Sequence, residues 1–215
     1  MDGTIIDSEP YWMVAERELV ERFGGTWSDE QGYALVGSGL WNSASLLRAE
    51  GVDMPHEDII SQLSAKVREQ INVAVPWRPG VREMLAELLE SQIPIALVTM
   101  SIGLNARALS EALDRELGRK VFDAIISADD VERSKPDPEA YLAGAAALGL
   151  DVTDTLAFED SSFGAASAFS AGAVTIGIPC HVEIPSSCIH EEWETMAGKS
   201  LEDLIAAFQK HRRVA

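Results

Sequence analysis

Residues 155–178, TLAFEDSSFGAASAFSAGAVTIGI, decide the fold class of this chain. The apolar runs 155–158 and 173–178 predict two buried strands, and the stretch 163–171 between them predicts a helix. The order strand, helix, strand is typical of parallel sheets that carry helices on both faces. The stretch therefore predicts an α/β fold.

The same alternation continues on both sides of this unit. Helices are predicted at 81–91, 103–117 and 138–148, and strands at 93–98 and 124–127. Residues 179–196 have no clear period and predict a loop, which is followed by a last helix at about 201–210. Before Pro79-Gly80 the sequence pattern is different, because apolar residues recur at helical spacing at 11–23, 42–50 and 56–72. The first third of the chain is therefore predicted to be all-helical.

Composition excludes several classes of protein. The chain has 215 residues, of which 47% are hydrophobic and 24% charged, as in a folded globular protein. Its net charge of −18 repels nucleic acid and anionic membrane surfaces, so neither is expected as a partner. No apolar run is long enough to span a membrane and no signal peptide is visible, which predicts a cytoplasmic location.

The cysteines and two of the histidines carry no motif. Cys180 and Cys188 show no metal-site spacing and are interpreted as reduced thiols. His181 and His190 are expected to be surface loop residues.

Reactive side chains follow the predicted strands, at the sheet edge where parallel α/β sheets bind their ligands. Glu159 and Asp160 are adjacent carboxylates suited to Mg²⁺, and Lys135 can balance the charge of a phosphate. Thr99 adds a hydroxyl, and Asp2 is a candidate acid and base. Each feature alone has an ordinary structural explanation, but four of them in this order predict phosphoryl transfer.

Four segments resemble the motifs of the haloacid dehalogenase superfamily. They are MDGTIIDSEP at 1–10, IALVTMS at 95–101, SKPDPEAY at 134–141 and AFEDSSFGAASAFSAGA at 157–173. The resemblance implies a Rossmann-like parallel-sheet core formed by residues 1–8 and 78–215. It also implies an inserted α-helical cap domain at 9–77, of the kind that closes over small substrates.

The resemblance also assigns roles to individual residues. Asp2 resembles the general acid and base, and Thr99 and Lys135 resemble the other catalytic residues. Thr99, the Met100 amide and Lys135 resemble the phosphate-binding groups. Glu159 and Asp160, with the Asp2 backbone carbonyl, resemble the Mg²⁺ ligands.

The nucleophile of the superfamily motif D-x-D-G-T has no counterpart in the chain. Met1 resembles the middle residue of that motif, so the nucleophilic aspartate is expected one residue before Met1. The resemblance places the strand that carries it between 93–98 and 155–158. Without that strand the 215-residue chain is expected to be inactive. A start assigned to an internal methionine, a truncated form and a true loss of the strand remain open.

The segment DSEPYW at 7–12 resembles the sugar-phosphate phosphatase branch of the superfamily. The expected activity is Mg²⁺-dependent hydrolysis of a small phosphorylated metabolite, specifically a sugar phosphate, through an aspartyl-phosphate intermediate. The protein is expected to be a monomer or a weak dimer. One alternative is phosphoryl transfer of the β-phosphoglucomutase type. A mutase has His at the position of Trp12 and Arg at the position of Leu40, near Gly37, so these two residues argue against that alternative. The other alternative is a non-catalytic phosphate-binding protein.

Overall fold

The computed structural model describes residues 1–35 and 39–212, so that Gly37 lies outside the described part. The chain divides into two compact units, one formed by Met1–Asp7 with Trp77–Ala215 and the other by Ser8–Pro76. In the described ranges, none of the helices combines the length and the apolar character that crossing a bilayer requires.

The regular elements in the described part of the Ser8–Pro76 unit are all helices. Its helices are α1 (Glu9–Arg22), α2 (Asp29–Tyr33), α3 (Leu40–Ala49) and α4 (His56–Val73). Helices α1 and α4 pack together, and their buried apolar residues recur at helical spacing, among them Leu19, Val20, Leu63 and Val67. Helix α2 was not predicted, although Ser28 and Gln31 form a capping box at its start.

The other unit alternates helices and strands. In chain order these are α5 (Val81–Glu90), β1 (Ala96–Val98), α6 (Gly103–Leu117), β2 (Ala124–Ile126), α7 (Glu139–Ala147), β3 (Leu156–Glu159), α8 (Ser162–Ala171), β4 (Val174–Gly177), β5 (Glu191–Glu192) and α9 (Leu201–His211). All strand pairs are parallel. The predicted α/β class with a parallel sheet is therefore confirmed.

The segment 179–196 departs from its prediction as a plain loop. Within it, β5 pairs with β4 and adds a short parallel strand to the sheet. His190, which was expected to be a surface loop residue, lies outside the helices and strands and is half-buried. Its Nδ1 accepts a hydrogen bond of 3.0 Å from the Thr175 amide, and its ring contacts Phe169 and His211. These contacts depend on tertiary packing, which no local pattern reports.

The parallel strands form two separate sheets. Strand β1 pairs with β2, whereas β3, β4 and β5 form the second sheet. A cavity of about 350 Å³ lies between β1 and β3, lined by both strands and by residues of α5 and α7. Met1, Thr4 and Ile5 also line it. Among the described residues, β1 and β3 therefore each have one edge that no strand covers.

Candidate active site

The carboxyl end of β3 carries a buried ion pair. Lys135 Nζ lies 2.5 Å from Glu159 Oε1, with side-chain exposures of 9% and 6%. The same ammonium donates to the Val98 carbonyl at the end of β1, at 3.1 Å. Val98 is the last residue of β1 and Glu159 is the last residue of β3. Lys135 therefore links the ends of the two sheets.

Tyr141 completes this group from the first turn of α7. Its hydroxyl donates a hydrogen bond to Glu159 Oε1, and its ring lies 4.7 Å from Lys135 Nζ. Burial, with the nearby Glu159 carboxylate, raises the pKa of Tyr141 well above its usual value. The phenol therefore stays protonated and remains a donor at neutral pH.

Asp160 is held by the N-terminal turn of the chain. Thr4 Oγ1 donates to Asp160 Oδ1 at 2.7 Å. Gly3 has a φ of +70°, and a Cβ at this position would lie 2.0 Å from Asp160 Oδ2, so that only glycine fits. Burial raises the pKa of Asp160, and the neighbouring Glu159 adds to this, while the Thr4 hydroxyl opposes it.

Asp2 and Thr99 are linked through Ser101. The Ser101 hydroxyl donates to Asp2 Oδ2 at 2.8 Å, and the Ser101 amide donates to Thr99 Oγ1 at 3.1 Å. The Thr99 amide donates to Ile126 at 2.8 Å, which fixes Thr99 at the end of β1. Because the Thr99 oxygen accepts the hydrogen bond from the Ser101 amide, the proton of the Thr99 hydroxyl remains available for a ligand oxygen.

The predicted site residues thus fall into three connected groups at the ends of β1 and β3. They are Lys135 with Glu159, Asp160 with the turn that contains Asp2, and Thr99 with Ser101. Met100 is half-buried and directly follows Thr99.

Other acids at the sheet edge have structural roles. Asp129 Oδ2 accepts the Gly103 amide at the start of α6, and Asp130 forms a capping box with Ser127. The hydrogen bonds from Ser127 lower the pKa of Asp130. These carboxylates therefore cap a turn and the start of a helix.

Three polar residues of the site were not predicted. Thr4 and Ser101 lie inside the quoted motifs, next to residues that were assigned, and hydroxyls at such positions are a usable signal. Tyr141 ends the segment SKPDPEAY and reaches Glu159 from α7, which packs against β1, β2 and α8. No pattern within the sequence indicates that contact.

The donor atoms at the end of β3 fit a magnesium ion. Mg²⁺ prefers oxygen ligands and few of them from protein. Asp160 is a half-buried carboxylate whose pKa is raised chiefly by loss of solvent, and a divalent cation beside it would stabilise its charged form. The close approach of Gly3 brings the Asp2–Gly3 backbone to the same carboxylate. The residues therefore fit the ion that the sequence predicted.

Comparison with known proteins agrees with this geometry. The pattern of the family "Haloacid dehalogenase-like hydrolase" matches residues 1–178. The chain is 30% identical over 190 residues to the fructose-1-phosphate phosphatase YqaB of Escherichia coli, covering 83% of this chain and 93% of that protein. It is 30% identical over 176 residues to the phosphorylated carbohydrates phosphatase of Thermotoga maritima, covering 80% and 79%.

A solved structure shows the same fold. A candidate β-phosphoglucomutase from Thermotoga maritima superimposes with a TM-score of 0.76 at 26% identity, covering 90% of this chain and 91% of the other. The core of such proteins is Rossmann-like, as the sequence predicted. The chain therefore belongs to the haloacid dehalogenase-like hydrolases, in the branch of the sugar-phosphate phosphatases.

Proposed function

We propose that the protein hydrolyses small phosphate monoesters, specifically sugar phosphates, with Mg²⁺ and through an aspartyl-phosphate. The observation that carries the proposal is the junction at Lys135. Its ammonium binds the end of β1 and Glu159 at the end of β3, beside Asp160. A cation and two carboxylates at one sheet edge suit a dianionic phosphate with its counter-ion.

Each residue has a role that its contacts support. Lys135 neutralises phosphate charge, while the Thr99 hydroxyl and the Met100 amide donate hydrogen bonds to phosphate oxygens. Asp2 protonates the leaving oxygen and later takes a proton from the attacking water. The hydrogen bond from Ser101 holds the Asp2 carboxyl in one orientation.

Glu159, Asp160 and the Asp2 carbonyl are the proposed Mg²⁺ ligands. Bound there, the ion supplies charge neutralisation and alignment of the phosphate. Thr4 and Gly3 act on Asp160, the first by a hydrogen bond and the second by leaving room for its carboxylate. Both therefore position a ligand without touching the substrate.

A nucleophilic aspartate one residue before Met1 belongs to the proposal. It is supported by the cavity between β1 and β3, where each strand has an edge that pairs with no other strand of the described residues. A central strand would pair with both edges and fill apolar space lined by residues such as Leu85 and Leu97. Its carboxyl end would lead into Met1, which lines the same cavity.

The helical unit supports hydrolysis over mutase transfer. A mutase must rebind its bisphosphate intermediate in the reverse orientation, which calls for a second cationic clamp. Several basic residues of Ser8–Pro76 instead bind partners inside that unit. Arg17 pairs with Asp29 and Lys66 with Glu18. Trp12 and Leu40, where a mutase has His and Arg, lie in α1 and at the start of α3.

Transfer of the β-phosphoglucomutase type is the second candidate. It is favoured by the likeness to the candidate mutase structure. The two activities differ in their products, because a phosphatase releases inorganic phosphate and a mutase interconverts sugar phosphates.

The test uses the chain extended through an apolar strand ending in aspartate. We expect phosphate release from hexose phosphates that requires Mg²⁺ and falls by orders of magnitude in Asp160→Asn. The control Asp154→Asn changes an exposed carboxylate paired with Arg212 and should keep full activity. Activity that survives chelation would refute the metal role. Interconversion of β-glucose 1-phosphate and glucose 6-phosphate with little free phosphate would favour the mutase.

A further inference from the structure

A second group of three side chains has the chemistry to bind a metal ion. None of its residues belongs to the proposed Mg²⁺ site. Asp7, Cys180 and His181, here called the Asp–Cys–His cluster, offer ligand atoms that all lie within 4.8 Å of one another. His181 Nε2 lies 3.0 Å from Asp7 Oδ1. The group combines a carboxylate, a thiol and an imidazole, and none of them has a role in the proposed hydrolysis.

A buried arginine holds the two backbone segments that carry the cluster. The Arg78 guanidinium donates to the Gly3 carbonyl in the N-terminal turn. It also donates to Ile178 at 2.8 Å and to Pro179 at 2.9 Å, just before the cysteine. One side chain therefore links the segment that leads to Asp7 with the segment that leads to Cys180 and His181.

The distances suit a tetrahedral ion. Zinc binds sulfur, nitrogen and oxygen at about 2.0–2.3 Å, which places ligand atoms roughly 3.3–3.8 Å apart. The Asp7–His181 separation of 3.0 Å is slightly below that range, and every separation within the cluster is at most 4.8 Å. The three ligand atoms therefore lie close enough together for one ion to contact all of them.

The donor types select the metal. Thiolate and imidazole favour Zn²⁺ over Mg²⁺, which prefers oxygen. The side chains of His181 and Asp7 are 35% and 41% exposed, so an ion can enter from solvent and keep a water ligand. The two metals should therefore occupy different sites in the same molecule.

We propose that the Asp–Cys–His cluster binds Zn²⁺ through the Cys180 sulfur, a His181 ring nitrogen and an Asp7 oxygen, with water as the fourth ligand. On binding, the Cys180 thiol releases its proton to solvent and the thiolate bonds to the ion. Asp7 directly precedes Ser8, the first residue of the helical unit. The ion would thus restrain the chain just before that unit begins.

The test measures binding of Zn²⁺ and of Co²⁺ as its spectroscopic probe, in excess Mg²⁺ and without any phosphate ester. We expect one Zn²⁺ per chain in competition with a chromophoric chelator, and a sulfur-to-cobalt charge-transfer band. Cys180→Ser should abolish the band. His181→Gln and Asp7→Asn should each weaken Zn²⁺ affinity by at least about tenfold, since losing even an outer-shell partner costs about 10–100-fold.

Cys188→Ser is the matched control. Cys188 is the second cysteine of the described chain, and its thiol donates to the Pro185 carbonyl. This variant should bind Zn²⁺ as the parent does, and Zn²⁺ should protect Cys180, but not Cys188, from alkylation. Absence of binding by the parent, unchanged binding by Cys180→Ser, or unchanged affinity in His181→Gln would each overturn the proposal. Thermal unfolding without metal verifies that each variant is folded, and none of these readouts depends on phosphatase activity.

Discussion

Lys135 and Glu159 form a buried ion pair whose ammonium also binds the carbonyl of Val98. Removing one member of a buried pair leaves an uncompensated charge, and this typically costs about 3–5 kcal/mol. The residue proposed to bind phosphate is thus also a structural link between the two sheets. Its substitution should change stability as well as activity.

The first prediction is that Lys135→Met lowers the free energy of unfolding by about 3–5 kcal/mol. The double variant Lys135→Met with Glu159→Gln should recover part of the loss, because the glutamine carries no charge and can still accept from Tyr141. Urea unfolding of the parent, both single variants and the double variant gives the coupling energy. Equal stability of the parent and Lys135→Met would show that the pair contributes nothing to the fold.

The second prediction concerns the close approach of Gly3 to Asp160. Gly3→Ala places a methyl group where the carboxylate lies, in addition to the strain of a φ of +70°. Gly118→Ala is the matched control, because Gly118 has a φ of +69° and open space around it. The control should cost about 1–2 kcal/mol, the usual penalty for a left-handed residue.

Gly3→Ala should cost more than this control and should abolish Mg²⁺-dependent phosphate release by the extended chain. Denaturant unfolding and phosphate assays of the two variants measure the difference. If both lose the same free energy and both stay active, the contact between Gly3 and Asp160 has no functional importance.

The third prediction is a pH-dependent stability caused by Glu16. Burial raises the pKa of Glu16 to about 8, and the carboxylate of Glu9 adds to this increase. The Trp27 indole acts in the opposite direction and lowers the pKa. Its Oε2 has no hydrogen-bond partner among the described residues. In the unfolded chain the pKa is near 4.5. Between these values the folded state binds the extra proton, so stability falls as pH rises from about 4.5 to 8 and then levels off.

The full loss is on the order of 3–5 kcal/mol. Glu16→Gln should remove this slope and stabilise the protein at pH 9 relative to the parent. Glu18→Gln, on the same helix but exposed and paired with Lys66, should leave the slope in place. Unfolding curves from pH 5 to 9 for the three proteins check this. A parent whose stability rises over that range would contradict the buried, protonated state of Glu16.

The fourth prediction concerns the cavity between β1 and β3. Adding roughly ten residues that form an apolar strand ending in aspartate should raise thermal stability and create phosphatase activity together. The same extension ending in asparagine should give the stability without the turnover, because it supplies the strand and no nucleophile. The 215-residue chain should show only background hydrolysis. Metal-dependent turnover by that chain would mean that another carboxylate, Asp2 or Asp7, attacks phosphorus.

Local patterns predicted most of the fold. Every predicted helix and strand is found within about three residues of its expected bounds, because apolar spacing directly reflects which face is buried. Helix α2 and strand β5 were missed for different reasons. The five residues of α2 are too few to show a period, although its capping box was visible, and β5 exists only because β4 offers an edge.

The candidate site was predicted less completely. Lys135, Glu159 and Asp160 follow from motif order, and the structure brings them to one sheet edge. Tyr141 and Arg78 could not be predicted, since their partners lie 18 or more residues away. The Asp–Cys–His cluster could not be predicted for the same reason, because Asp7 and His181 are separated by 174 positions in the sequence.

The division of the parallel strands bears on hydrogen exchange. In the described ranges, no backbone hydrogen bond links β1 and β2 to the sheet of β3, β4 and β5. Each part can therefore open without breaking the ladder of the other, and amides of β2 and β4 should exchange with distinct opening free energies, as separate foldons. A strand that pairs with both β1 and β3 would merge them, so that all strand amides would exchange through one cooperative opening.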